Sequence, residues 1–303
     1  MNLISQLKKI EPKISSKILF NESLSKHSWF KLGGDAKAIF KPQNLSELSI
    51  FLKNLDGFEK IKVLGEGSNT IVRDGGFDGV IIKLGKSFSH VSLINKNMLI
   101  TGASAYDKLI SNFAYENSLS GFEFLSCIPG TIAGGIRMNS GCYGEDVSKI
   151  LVSVQAMDLT GNFRVIYASD IKFHYRGSNL DNNLILVSAT FKGKKDKKNK
   201  IKNKTLSLIE KKKKDQPSHV KTCGSTFKNP KNKKAWSLIK DSGCAGMKVG
   251  DAYISAKHCN FFINKGNAKS SELENLINIV KKKVFKKTGV KLELELEIIG
   301  KKS

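Results

Sequence analysis

The chain has 303 residues, enough to bury a sizeable core and to divide into two domains. With 40% hydrophobic and 26% charged residues it has the composition of an ordinary globular protein, and no apolar stretch is long enough to span a bilayer. Its formal charge of +24 invites a nucleic-acid reading. Four arginines (Arg73, Arg137, Arg164, Arg176) stand against 47 dispersed lysines. Readers of nucleic acid favour the planar arginine fork, so general lysine bias explains the charge better.

Met1–Ile10 carries Leu3, Leu7 and Ile10 at helical spacing, broken by Gln6, Lys8 and Lys9. That pattern predicts a helix and lead-in over residues 1–20 rather than a secretion leader, and the expected location is cytoplasmic. Asn44-x-x-Glu47 reads as a capping box for a helix bearing Leu48, Phe51, Leu52 and Leu55, closed by Gly57. Short strands are expected at Ile61–Leu64, Val80–Ile82 and Met98–Thr101, and Ser104 is expected to cap a helix through Leu109, Ile110 and Phe113. Further strands are expected at Leu151–Leu159, Phe163–Tyr167 and Leu184–Phe191.

The lysine-dense block Lys192–Lys214 marks a change of composition, with a basic, solvated helix expected over 196–213. Beyond it come a helix with Trp236, Leu238 and Ile239 ended by Gly243, and a second capping box at Ser271-x-x-Glu274. The helix from that box carries Leu273, Leu276, Ile277, Val280 and Val284 on one face and stops at Gly289. Val290–Ile299 alternates as a strand that would put Glu293, Glu295 and Glu297 on one face. The pattern is α+β or α/β.

Two glycine segments carry the functional signal. Gly121–Gly144 holds six glycines, the Pro129-Gly130 step, and Thr131, Met138, Asn139 and Tyr143. Such a loop can bring backbone N–H groups close to an anion. Leu64–Gly76 follows a strand with Gly65-x-Gly67, but the third glycine of a dinucleotide fingerprint is Thr70, which disfavours the doubly wound nucleotide fold. Cys127, Cys142, Cys223, Cys244 and Cys259 are odd in number and form no C-x-x-C pair, against a disulfide framework or a zinc site. No serine-histidine-carboxylate arrangement is visible.

With Ser28–Ala36, Tyr175-Arg-Gly-Ser178, Gly224–Pro230 and Leu292–Glu297, the two segments make six ordered motifs. Together they resemble the UDP-N-acetylenolpyruvoylglucosamine reductase (MurB) family over nearly the whole chain, in the shorter subtype without an extra substrate-domain insertion. The resemblance implies an α+β architecture: a vanillyl-alcohol-oxidase/PCMH-type FAD-binding domain of two subdomains over 21–194 and a smaller substrate-binding domain over 195–303. It implies non-covalent FAD, NADPH as hydride donor, the enolpyruvyl ether of UDP-N-acetylglucosamine as substrate, and a monomer without nucleic-acid or membrane partners.

The resemblance assigns catalysis to Arg176, Ser225 and Glu295. Arg176 stabilises enolate charge, Ser225 donates a proton, and Glu295 acts in its neutral form, for which burial is expected to raise its pKa. Flavin contacts fall on Gly65, Gly67, Ser68, Asn69, Pro129, Gly130, Thr131, Gly134 and Gly141, and substrate contacts on Tyr175, Lys228 and Asn229. Two departures stand out: Cys127 occupies the first place of the Gly-Ile-Pro-Gly run, and Ala133 stands where a glycine is expected. Were Ala133 to need positive φ, the loop would be strained. The alternatives are another flavin oxidoreductase acting on a sugar or hydroxy acid, and a basic nucleic-acid-binding protein that has lost the cofactor.

Overall fold

Five apolar residues at i, i+3, i+4 and i+7 spacing give the C-terminal third its longest helix, Ser270–Thr288. Leu273, Leu276, Ile277, Val280 and Val284 are all buried, while the lysines of the opposite face stay in water. Each such side chain stabilises the fold by about 1.5–3 kcal/mol on burial. In the computed structural model, which describes residues 3–55 and 60–303, six further helices precede it. They are α1 (Leu3–Ile10), α2 (Leu45–Lys53), α3 (Asp107–Glu116), α4 (Ile132–Arg137), α5 (Lys198–Asp215) and α6 (Ala235–Asp241); the last helix is α7. Gly57, expected to close α2, lies outside the described residues.

The chain forms two compact units, each assembled from three stretches of sequence. The first comprises residues 1–19, 38–65 and 79–212. Its main element is a five-stranded antiparallel sheet in the spatial order Phe163–Tyr167, Leu151–Met157, Ile185–Lys192, Met98–Gly102, Val91–Asn95. The central strand reads Ile-Leu-Val-Ser-Ala-Thr-Phe-Lys and is buried along most of its length, as a strand covered on both faces must be. Phe122 packs edge-on against Phe191 in this core, together with Ile110, Ile132, Ile136 and Val154. Elsewhere in the unit Phe40 stacks on Phe51 of α2 at 4.0 Å between ring centroids.

The second unit comprises residues 20–37, 66–78 and 213–303. A three-stranded antiparallel sheet (Lys248–Val249, Ala252–Ile254, Phe262–Asn264) supports α6 and α7. Thr70–Val72 pairs in parallel with Glu297–Ile299, so the strand after the second glycine segment is held by the C-terminal segment.

Several local expectations change. Asn44 does cap α2, its Oδ1 accepting from the Glu47 N–H at 2.9 Å. The Glu47 carboxylate does not return to the Asn44 N–H. It accepts instead from the N–H groups of Gln43, Ser15 and Ser16 and from the Ser16 hydroxyl. Ser104 caps no helix: its hydroxyl donates to the Gly85 carbonyl, and α3 starts at Asp107. Helix α7 starts at Ser270, and its N-terminus is capped by Asp74, which accepts from the Ser270 N–H at 2.9 Å. Glu274 is thereby freed from capping and pairs with Arg73.

Candidate active site

Gly65 of one glycine segment meets Thr131 of the other inside the first unit. A Cβ on Gly65 would stand 2.6 Å from the Thr131 hydroxyl oxygen, so only glycine permits this approach. The nearest atom to a Cβ on Gly134 would be the same hydroxyl, at 3.9 Å. Gly65, Thr131 and Gly134 therefore converge on one buried hydroxyl with bare backbone around it. Gly130, at φ +128, supplies the one backbone conformation in Pro129–Thr131 that side chains resist. A surface of main chain and one hydroxyl suits a flat, hydrogen-bonding cofactor such as a flavin.

Ala133 lies within α4, so it needs no positive φ and carries no strain. The N–H groups of Ile132 and Ala133 donate to the carbonyls of Ala105 and Ala103. The start of α4 is thus tied into the core and is not an anion cradle. Gly141 sits in a short strand where a Cβ would strike the Glu145 carbonyl.

Arg176 occupies the turn between two short strands, Phe173–His174 and Gly177–Ser178, at φ +57. A left-handed arginine costs about 1 kcal/mol or more, and such strain persists where the surroundings demand it. One guanidinium nitrogen donates to the Gly141 carbonyl at 2.8 Å, and the group lies 5.0 Å from the centre of the exposed Tyr175 ring. Arg176 thus joins the Tyr175–Ser178 motif to the end of the long glycine segment.

In the second unit, Ser225 and Glu295 belong to neighbouring extended segments. The Glu295 N–H donates to the Thr226 carbonyl and the Lys228 N–H to the Glu293 carbonyl, both at 2.9 Å. On the other side Ser225 bridges Phe261. The buried Asn260 grips the adjoining residue twice, accepting from the Phe227 N–H and donating to its carbonyl at 2.9 and 2.8 Å. Sequence reasoning passed over Asn260, since an asparagine before two phenylalanines carries no local signal.

Expected as one alternating strand, Val290–Ile299 bends at Glu295 and Leu296 and is regular only from Glu297 to Ile299. The bend separates Glu295, which is half-buried, from Glu293 and Glu297, which are exposed. Asn69 holds the bend through the Glu295 carbonyl. Gly67, at φ +64, has no room for a side chain against the His27 carbonyl, while Ser68 is half-buried beside it. Of the expected substrate residues, Lys228 is half-buried, and Asn229 accepts from the Ala235 N–H at the start of α6.

A family model described as the UDP-N-acetylenolpyruvoylglucosamine reductase C-terminal domain matches residues 216–299, and an FAD binding domain model matches 36–167. A curated relative from Pelagibacter ubique, named UDP-N-acetylenolpyruvoylglucosamine reductase, is 49% identical over 98% of this chain and 99% of its own. This chain belongs to the UDP-N-acetylenolpyruvoylglucosamine reductase family. A reductase of the same name from Rickettsia bellii is 45% identical over 91% of each chain. The solved reductase (MurB) from Thermus caldophilus superposes with a TM-score of 0.83 at 28% identity, covering 95% of this chain and 100% of that one. The expected α+β fold with an FAD-binding domain is the fold of this reductase family.

Cys223 and Cys142 lie within glycine motifs but differ. Burial pushes the Cys223 thiol up to about 12, and it donates to the Gly67 carbonyl, as an inert packed group does. The half-buried Cys142 thiol donates to the Phe124 carbonyl at 3.4 Å.

Proposed function

We propose that the protein reduces the enolpyruvyl ether of UDP-N-acetylglucosamine to UDP-N-acetylmuramate with NADPH as reductant. Family membership supports an FAD-dependent reductase; the residue roles follow from motif position and local geometry. When bound, FAD carries hydride from NADPH to C3 of the enolpyruvyl group. Everything else falls to the chain.

Pro129, Gly130, Thr131, Gly65, Gly134 and Gly141 offer backbone and one hydroxyl to the flavin from the first unit; Gly67, Ser68 and Asn69 belong to the second. By function, residues 21–194 form the flavin domain and 195–303 the substrate domain, although packing divides the chain differently. The Arg176 guanidinium, anchored on the Gly141 carbonyl, binds the substrate carboxylate. Glu295, in its neutral form, donates a hydrogen bond as that carboxylate takes on enolate charge. The Ser225 hydroxyl gives its proton to C2, completing the lactyl ether. Lys228, Asn229 and Tyr175 contact the diphosphate and sugar.

The observation that carries this reading is the pairing of Ser225 and Glu295 on adjacent segments through the Glu295–Thr226 hydrogen bond. All three catalytic groups come from one chain, which is compatible with the monomer proposed for it. Its reaction belongs to cytoplasmic peptidoglycan precursor synthesis and through it serves cell shape and division.

The test is an anaerobic flavin spectrum. NADPH bleaches the oxidised band, and UDP-N-acetylglucosamine enolpyruvate restores it. Bleaching without restoration would discard the substrate assignment, and a protein that takes up no FAD would discard the whole reading.

A further inference from the structure

Helix α5 holds most of the lysine-dense block, and its lysines divide by face. Lys198, Ile201, Lys204, Leu208 and Lys212 follow one another at steps of three or four residues, the spacing of a single helix face. Ile201 is buried, and Leu208 packs against the core of the first unit. Lys198 pairs with Glu116 at the end of α3. The other two lysines of this face reach the long glycine segment.

The Lys204 ammonium lies 3.4 Å from the buried carboxylate of Glu123, and the same carboxylate oxygen accepts from the Gly121 N–H at 2.9 Å. The half-buried Lys212 donates to the Cys127 carbonyl at 2.8 Å. Beside it, the Lys211 ammonium stands 4.6 Å from the centre of the Tyr143 ring. Lys200 pairs instead with Asp196, and Lys202 is exposed. The helix expected to be solvated thus turns one set of lysines inward.

We infer that Lys204 and Lys212 are positioning residues that hold the long glycine segment in its flavin-binding form. The inference rests on the flavin reading of that segment.

The segment needs an outside hold. Gly121 opens it at φ +105 and Gly130 bends it at φ +128. Backbone rich in glycine loses more freedom on ordering than any other. Lys204 and Lys212 are separated by about 12 Å along the helix axis, so α5 fixes two points of the segment at a set spacing. One is the Glu123 carboxylate that steadies the opening turn. The other is the Cys127 carbonyl, which directs the main chain into Pro129 and Gly130. Removing Lys204 leaves a buried carboxylate short of a cation. Neither lysine has to touch the flavin to matter. A segment ordered one-tenth of the time binds its ligand about tenfold more weakly.

The experiment uses full-length protein stripped of flavin, comparing the parent with Lys204→Met, Lys212→Met, Lys204→Arg and Lys202→Gln. FAD dissociation constants come from flavin fluorescence, and amide exchange is mapped on the same apoproteins. Both methionine variants keep the apolar stem and lose the charge. They are expected to bind FAD about tenfold more weakly and to exchange faster across Gly121–Gly144. Lys204→Arg restores the affinity. Lys202→Gln, which removes the same charge from an exposed position, behaves as the parent.

An equal loss of affinity in Lys202→Gln would show that the overall positive field attracts FAD, and would overturn the proposal. Parent-like affinity and exchange in both methionine variants would do the same. A parent that takes up no FAD would discard the flavin reading, while the exchange data would still decide whether the lysines order the segment. Should the methionine variants fold poorly, reciprocity supplies a test in the unmodified protein. FAD must then slow exchange in α5 as well as in the glycine segment; exchange in α5 untouched by FAD counts against the assignment.

Discussion

The side-chain amide of Asn69 donates to the main-chain carbonyl of Glu295 at 3.1 Å, and the Asn69 carbonyl accepts from the Glu297 N–H at 3.0 Å. The second glycine segment thus clasps both sides of the bend that sets Glu295 apart from its neighbours. Removing the amide leaves the Glu295 carbonyl one partner short, a loss of about 1 kcal/mol. A carboxyl positioned less firmly loses more in rate than in binding. Asn69→Ala is expected to slow substrate reduction roughly tenfold, with KM changed less. Stopped-flow reoxidation of NADPH-reduced enzyme measures this; an unchanged rate would mean that the clasp does not position Glu295.

Arg176 combines backbone strain with a contact that lysine cannot reproduce. Arg176→Lys keeps the charge but loses the fork that can hold the Gly141 carbonyl and a carboxylate together. We expect kcat/KM to fall about 100-fold or more, of the order seen when one charge-stabilising donor is removed. Arg176→Gly separates the two effects. Glycine accepts φ +57 without strain, which offsets the lost Gly141 hydrogen bond, so stability should stay within about 1 kcal/mol of the parent while activity disappears. Urea unfolding beside steady-state kinetics reads both. A large loss of stability in the glycine variant would contradict the strain argument.

Arg73 binds Glu274 with two guanidinium nitrogens, at 2.8 and 3.0 Å, and donates with a third to the Gly300 carbonyl at 3.3 Å. It thereby connects the second glycine segment, α7 and the C-terminal segment within one unit. Arg137 likewise engages two guanidinium nitrogens, on the Asp181 and Leu184 carbonyls, whereas the exposed Arg164 makes a single contact with Asp158. Arg73→Lys should cost about 1–2 kcal/mol of stability, since a point charge satisfies fewer of these acceptors. Thermal melts in low and high salt would test it. A variant as stable as the parent at low salt would show that charge alone suffices.

What the sequence conveyed depends on how far apart the partners lie. Helix α7 was legible because its apolar positions recur at helical spacing and Gly289 ends it in the left-handed conformation. Its cap was legible only in part: Glu272 accepts from the Lys269 N–H, two residues before the expected box, while Asp74 comes from far away in the sequence. The same holds for Glu47, whose local capping role yielded to Ser15 and Ser16. Alternation around Glu295 suggested an unbroken strand, whereas tertiary hydrogen bonds to Asn69 and Thr226 impose the bend. Motif order conveyed the family; the approach of Gly65 to Thr131 emerged only from the fold.

The buried carboxylate of Glu47 makes a definite prediction for pH. Burial alone would push its pKa up, but the Ser16 hydroxyl and the N–H groups of Gln43, Ser15 and Ser16 together outweigh burial, and the net direction is down. The unfolded chain therefore binds this proton more readily than the folded one near the ordinary carboxylate value of 4.5. Stability from Glu47 is fully present above that value and is lost as pH falls through the lower, folded-state value. Glu47→Gln keeps the shape but removes the charge behind four hydrogen bonds, two of whose donors then face an amide NH2 group. We expect a cost of about 2 kcal/mol at pH 7 that shrinks steadily below pH 4.5. Urea midpoints of parent and variant across that range provide the measurement. A difference that stays constant down to the acid limit would show that shape, and not the charge of Glu47, holds the N-terminal segment against α2.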